Sequence, residues 1–258
     1  MATIGIFDSG SGGLSVLREI AKRLPGERYL YFADNAHCPY GEKTAAYIQD
    51  RARTITEILL SMGADIIVVA CNTATAAAIE TLRKEYPELR FIGMEPAVKP
   101  AALGTKTGVI GVLATAGTLR GSKYLATKGR FEDNVRIVEH VGKGFVELVE
   151  KGLLSGPQAE RTVSESLLPL LREGADTIVL GCTHYPFLTG TISKVAGEGV
   201  RIIDPSPAVA ERTVNVMLEE GLISPSQVTS LDSFPADADI SYYCSGDPAS
   251  MRAVLPLL

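Results

Sequence analysis

The sequence predicts an α/β protein of two similar lobes with mainly parallel sheets, related by pseudo-twofold symmetry, with the active site in the cleft between them. Short apolar runs of strand type alternate with longer amphipathic stretches, as parallel strands joined by helices require. The pattern then restarts. "GADIIVVAC" (Gly63 to Cys71) and "GADTIVLGC" (Gly174 to Cys182) are identical at six of nine positions. The repeat keeps one register: Asp65 and Asp176, Cys71 and Cys182, and Arg90 and Arg201 are each 111 residues apart.

"TIGIF" (Thr3 to Phe7) reads as the first strand, and the glycine turn "DSGSGG" (Asp8 to Gly13) leads into the amphipathic "LSVLREIAKRL". "YLYFA" (Tyr29 to Ala33) is the second strand. A loop with "PYG" (Pro39 to Gly41) and a helical stretch from Lys43 to Met62 follow it. "DIIVVA" is the third strand, "TATAAAIETLRKEY" its helix and "RFIGM" the fourth strand. In the second copy "TGVIGVLATAG" (Thr107 to Gly117) answers "TIGIFDSG", "DTIVLGC" answers "DIIVVAC", and "RIIDPSPA" answers "RFIGMEPA". The lobes implied are residues 1–97 plus 209–258, and residues 98–208. "EPAVKPAALGTK" (Glu95 to Lys106) is the expected crossing between them. A second crossing is expected near "DPSPA" (Asp204 to Ala208), and the tail with "DISYYCSGDPASMRAVL" is expected to rejoin the first lobe.

The 258 residues suffice for a sizeable core, and 46% hydrophobic with 21% charged residues is an ordinary globular balance. A net charge of -5 disfavours a general nucleic-acid binder. The apolar runs are short and broken by Asp, Gly or Lys, so no membrane-spanning helix is expected, and no secretory signal is visible. The expected compartment is the cytoplasm, where thiols stay reduced. The four cysteines have no CxxC spacing, so no structural zinc site is expected. Cys38 and Cys244 read as small buried hydrophobes.

In open parallel sheets ligands bind outside the carboxyl ends of the strands. Cys71 and Cys182 each follow a strand directly, so each lies at such an end. Two thiols in matched positions suit acid/base work on one carbon, one removing a proton from one face while the other delivers a proton to the opposite face. A free thiol with a pKa of about 8.5 needs only modest tuning for this near neutral pH. Each needs a neighbour that holds or receives its proton. Asp8, at the end of the first strand, faces Cys71, and His184 lies two residues after Cys182. Asp8 also fits as a helix N-cap, and His184 as a hydrogen-bonded structural histidine. The glycine turn presents N–H groups at a helix N-terminus, an expected anion site. Ser9, Asn72, Thr73, Thr115, Thr118 and Thr183 lie in strand-end loops and can donate hydrogen bonds, and Tyr40 and Gly41 add an aromatic and a free amide. No arginine falls in these loops, so a small anionic ligand would be held by neutral donors and helix ends. No lysine stands in a pyridoxal-binding setting, and no cofactor or metal is expected.

"GIFDSGSGGLSVL", "PYG", "VVACNTATA", "GVLATAGT" and "VLGCTHYPFL" resemble the glutamate racemases of the aspartate/glutamate racemase superfamily, over Ile4 to about Arg212. The resemblance implies a two-lobed, cofactor-independent enzyme that interconverts L- and D-glutamate and supplies D-glutamate for peptidoglycan. It implies catalytic thiols at Cys71, acting on D-glutamate, and Cys182, acting on L-glutamate, with Asp8 and His184 as helpers. Substrate contacts carry over to Asp8, Ser9, Tyr40, Gly41, Asn72, Thr73, Thr183 and His184, and Thr115 and Thr118 match a family loop. Glu150 resembles a family glutamate near the second thiol. The family also suggests a homodimer. There are departures. Gly142 and Lys143 stand where many relatives carry Cys-Pro, and "ADNAHC" replaces "GDTARV"-like residues, so His37 and Cys38 read as structural. Some relatives carry an N-terminal extension tied to activation by a cell-wall precursor, and the expectation here is that such activation is missing.

Three other readings compete. "FDSGSGGLS" followed by Asp34 about 20 residues on has the spacing of a dinucleotide site, although its glycines read GxGG. A two-lobed amino-acid binder without catalysis would share the architecture. Aspartate in place of glutamate would keep the same chemistry.

Overall fold

The structure is a computed structural model and describes residues 1–258. The first half runs β1 (Thr3–Asp8), α1 (Leu14–Arg23), β2 (Arg28–Ala33), α2 (Ala45–Ser61), β3 (Ile66–Val69), α3 (Asn72–Glu85) and β4 (Arg90–Ile92). The crossing holds α4 (Val98–Gly104). There follow β5 (Val109–Ala114), α5 (Ala116–Leu119), α6 (Ser122–Gly129), β6 (Arg136–Val141), α7 (Phe145–Glu150), α8 (Pro157–Arg172), β7 (Thr177–Gly181), α9 (Thr189–Ala196) and β8 (Arg201–Ile203). The tail is α10 (Ser206–Glu219), β9 (Asp239–Cys244) and α11 (Ala249–Val254).

Two separate sheets form, in the orders β4-β3-β1-β2-β9 and β6-β5-β7-β8. Every pairing is parallel. Read from the β4 and β8 edges, the first four strands of one sheet repeat the order of the other. The register repeats too: Ile66 pairs with Arg90 as Thr177 pairs with Arg201, and Gly5 pairs with Ile67 as Gly111 pairs with Ile178. Both glycines are needed for the same reason. A Cβ on Gly5 or Gly111 would lie 2.7 Å from Cδ1 of Ile67 or Ile178 respectively. The central strands are apolar along most of their length and buried, as strands covered on both faces must be.

One apolar cluster of 40 buried residues spans both sheets, from Ile6 and Leu17 through Leu113 to Leu170 and Leu180. A 17-residue cluster fills the far side of the first sheet under α2 and α3, and a smaller one lies beside α4 and α6. The two sheets therefore share an inner core. The chain leaves the second sheet through α10, which packs along α1, and β9 then docks on β2. The crossing expected from its two prolines as a linker is partly helical. Pro100 sits in the first turn of α4, where its missing N–H costs no intrahelical bond. No helix is long and apolar enough to cross a membrane.

Candidate active site

The carboxyl ends of β1, β3, β5 and β7 point their following loops at one place. Cys71 follows β3 and is the N-cap of α3; the Ala74 N–H donates to its sulfur at 3.5 Å. Asn72 and Thr73 open that helix. Cys182 follows β7 directly and is trailed by Thr183 and His184. Thr115 caps α5, accepting from the Thr118 N–H. Cys71 and Cys182 line one narrow cavity. Ser9, Asn72 and Thr73 share its wall with Thr115, Thr183 and His184 of the second half. Tyr40 and Gly41 complete it, and no arginine or lysine reaches it.

Asp8 and Thr118 stand behind this lining. Asp8 is fully buried; Oδ1 accepts from the Ser9 N–H and Oδ2 from the Gly13 N–H, both at 2.7 Å. It is not the N-cap of α1, which is Gly13, but it holds that residue's N–H while sitting beside Cys71. Thr183 Oγ1 also donates to Oδ2, at 3.3 Å. Burial pushes the Asp8 carboxyl above the usual carboxylate range, partly offset by the charge on His184 and by these N–H groups. The anion site expected at the glycine turn is occupied from within the protein. The Ser11 N–H and hydroxyl donate to Glu150 Oε1 at 2.7 and 2.8 Å, while Asp8 takes the Gly13 N–H. A side chain at Gly12 would collide with the His184 ring, so the turn has no room for a pyrophosphate on that side.

The thiols have unlike neighbours. Burial, reinforced by the charge of Asp8, pushes the Cys71 thiol well above its ordinary value, against the pull of the Ala74 N–H. Cys182 Sγ lies 3.8 Å from His184 Nδ1, and His184 Nε2 donates to Glu150 Oε1 at 2.6 Å. Burial alone would strip the proton from His184, but Cys182 and Glu150 outweigh it and hold the imidazole well above its usual range. Glu150 is drawn down to about 2 because, despite burial, its carboxylate accepts from His184 and Ser11. The sequence offers no spacing that links Glu150 to His184; only the family resemblance points to it.

Asn72 is the unexplained polar group of the wall. Its amide nitrogen and oxygen are both buried without a partner, and such orphans in native proteins ask for a ligand or water. Across the mouth, Thr73 Oγ1 lies 2.8 Å from Thr115 Oγ1, and Thr115 Oγ1 lies 2.9 Å from Thr118 Oγ1. These hydroxyls latch the two halves together.

Tyr40 turns its hydroxyl away from the cavity, to Asp34. Asp34 is fully buried and also bound by Arg51 at 3.0 and 2.8 Å and by His37 Nδ1 at 2.9 Å. Its oxygens are consumed in holding the "PYG" loop, leaving none for a ribose. His37 is thus structural. Cys38 is half-buried beside Glu150 and His184.

A pH test follows from Glu150. Its folded pKa is depressed, so its contribution to stability is present above the unfolded value of about 4.5 and fades as pH falls toward about 2. Urea melts should find Glu150→Gln less stable than wild type at pH 7, with the gap narrowing from pH 4.5 downward. A gap independent of pH would contradict the charged pairing with His184.

Comparison with known proteins places these features in one family. A family model described as Asp/Glu/Hydantoin racemase matches residues 4–213. The glutamate racemase of Ectopseudomonas mendocina (strain ymp) is 48% identical over 259 residues, covering 100% of this chain and 94% of that protein. The crystal structure of Escherichia coli glutamate racemase with L-glutamate and the activator UDP-MurNAc-ala superposes with a TM-score of 0.84 at 35% identity, over 99% of this chain and 93% of that one. A Bacillus anthracis glutamate racemase isoform gives a TM-score of 0.83 at 32% identity, over 99% and 94%. With its paired strand-end thiols in one cavity, the chain belongs to the Asp/Glu/hydantoin racemase family.

Proposed function

We propose that the chain is a cofactor-independent glutamate racemase working by a two-base mechanism with Cys71 and Cys182. The observation that carries this is the pair of thiols on one buried cavity, each from an equivalent strand end, each with its own charged helper. Relatives named glutamate racemases over nearly the full length give the substrate, and the Escherichia coli protein binds L-glutamate. The family's role in supplying D-glutamate for peptidoglycan is taken over with it.

In this mechanism the Cys182 thiolate removes the Cα proton of L-glutamate, and the Cys71 thiol gives its proton to the opposite face. The reverse reaction starts from D-glutamate with the Cys71 thiolate. His184 stands 3.8 Å from Cys182, while the Cys71 thiol, pushed up by burial and the charge of Asp8, stays protonated and ready to donate. Asp8 receives and returns the Cys71 proton. Negative charge developing at Cα and the carboxylate meets the hydroxyls of Ser9, Thr73 and Thr183 and the amide of Asn72, all preorganised around one cavity. The site recognises its anion with neutral donors, which suits a reaction that must not freeze one ionic state.

The test is Cα hydrogen exchange in D2O, followed by NMR with L-glutamate, D-glutamate and L-aspartate. Wild type should exchange and racemise glutamate in preference to aspartate. Cys71→Ser and Cys182→Ser should each lose racemisation by roughly 100-fold or more, in keeping with removal of a general acid/base. Unchanged racemisation in either variant would end the two-base reading, and no exchange with any amino acid would favour a binder without catalysis.

Asn72 supplies a second test. Asn72→Leu removes two orphaned polar atoms, so the unliganded chain should melt at higher temperature, by an amount set by about 1 kcal/mol or more. The same change should lower kcat/KM for glutamate by roughly tenfold or more, because the ligand loses its partner. A variant both less stable and fully active would contradict a substrate role.

A further inference from the structure

Beside the thiol that faces the cavity from the second half lies a third cysteine. Cys38 enters from the loop after β2, Glu150 from the end of α7, and His184 from the loop after β7. The Cys38 sulfur, a Glu150 carboxylate oxygen and a His184 ring nitrogen all lie within 4.8 Å of one another. Three segments distant in sequence thus converge one sulfur, one oxygen and one nitrogen donor. Gly10 makes the convergence feasible: a Cβ there would collide with Glu150 Oε1 and lie 3.2 Å from Cys38 Sγ.

We propose that Cys38, Glu150 and His184 form an inhibitory binding site for Zn2+, which disables racemisation by capturing the imidazole that serves Cys182. This builds on the racemase reading by naming a regulator of the same site. Zinc takes sulfur, nitrogen and carboxylate ligands together, with bonds of about 2.0–2.3 Å, and three protein ligands leave a fourth position for water. Ligands around such an ion stand roughly 3.5 Å apart, so Nε2 and the Glu150 oxygen, 2.6 Å apart, would separate to admit the metal, with the Cys38 sulfur within 4.8 Å as the third donor. Calcium and magnesium, which ask for oxygen ligands, do not fit this set.

The consequence follows from which nitrogen is free. Nδ1 faces Cys182, and Nε2 is the nitrogen held by Glu150. Zinc on Nε2 displaces the proton shared with Glu150. The Cys38 thiol gives up its proton to solvent on forming the Zn–S bond. With Nε2 bound to zinc, the imidazole is held as a metal ligand and no longer serves Cys182, whose sulfur lies 3.8 Å from Nδ1. Metal capture must expel the Cys38 thiol proton and should strengthen as pH rises. Cys38 is half-buried and the Glu150 side chain retains 17% of its exposure, so the triangle is open to solvent on one side.

The binding arm uses Co2+ as a spectroscopic stand-in for zinc, on the full chain. One equivalent should bind and give a thiolate-to-cobalt charge-transfer band that is lost in Cys38→Ser and Cys38→Ala. The kinetic arm titrates Zn2+ into glutamate turnover. Wild type should be inhibited and recover on EDTA, and Cys38→Ser should keep its basal rate. Loss of an outer partner of a metal ligand costs 10–100-fold in affinity, so loss of a direct ligand should raise the inhibitory Zn2+ concentration by roughly 100-fold. A charge-transfer band or Zn2+ sensitivity undiminished in both Cys38 variants would overturn the proposal and assign the metal to the catalytic thiols. Absence of cobalt binding in wild type would overturn it as well. A protein that binds cobalt through Cys38 but turns over no glutamate would leave the metal site standing while removing the racemase reading.

Discussion

One carboxylate oxygen joins the two halves at the point where chemistry is expected. Glu150 Oε1 accepts from the Ser11 N–H, the Ser11 hydroxyl and His184 Nε2. Through it the glycine turn after β1 and the loop after β7 hold one another in place. Together with Cys182, the same carboxylate outweighs the burial of His184 and holds its imidazole well above the usual range. The imidazole in turn gives Cys182 its environment. The hydroxyl latch of Thr73, Thr115 and Thr118 closes the other side of the cleft.

The duplication is faithful in the scaffold and broken at the ionisable residues beside the thiols. The sheets share order and register, and the thiols occupy equivalent strand ends. By the same register Asp8, the last residue of β1, corresponds to Ala114, the last of β5, and Thr73 corresponds to His184. Each half therefore lacks the ionisable residue that the other places beside its thiol. Copying both residues into both halves would crowd two carboxylates and two imidazoles into one buried cavity, where unpaired charges cost several kcal/mol each. With one ionisable residue beside each thiol the buried charge is compensated: Asp8 answers His184, and His184 answers Glu150.

Much of this was legible in the sequence because the repeat fixes position without any structural knowledge. The offset of 111 residues located β3, β4, β7, β8 and both thiols, and the strand-end rule put the hydroxyl-bearing loops on one side. β6 escaped because it is an edge strand, half-buried, with Glu139 and His140 interrupting its apolar alternation. The glycine turn was readable as an anion site, but its anion comes from residue 150, and no local pattern connects residues 139 apart. Likewise the Asp34 spacing that suggests a nucleotide is explained by Arg51, Tyr40 and His37, whose convergence only the folded chain reveals. Polar networks between distant segments are set by tertiary packing, which periodicity does not encode.

The account rests on the two thiols addressing opposite faces of one carbon. The most direct measurement is the pair of sulfur-to-Cα distances in a crystal structure of this chain with D-glutamate bound. The account predicts Cα between Cys71 Sγ and Cys182 Sγ, at comparable contact distances on opposite faces, with the Asn72 amide bonded to the ligand. A ligand whose Cα meets only one sulfur, or both sulfurs on the same face, would contradict it.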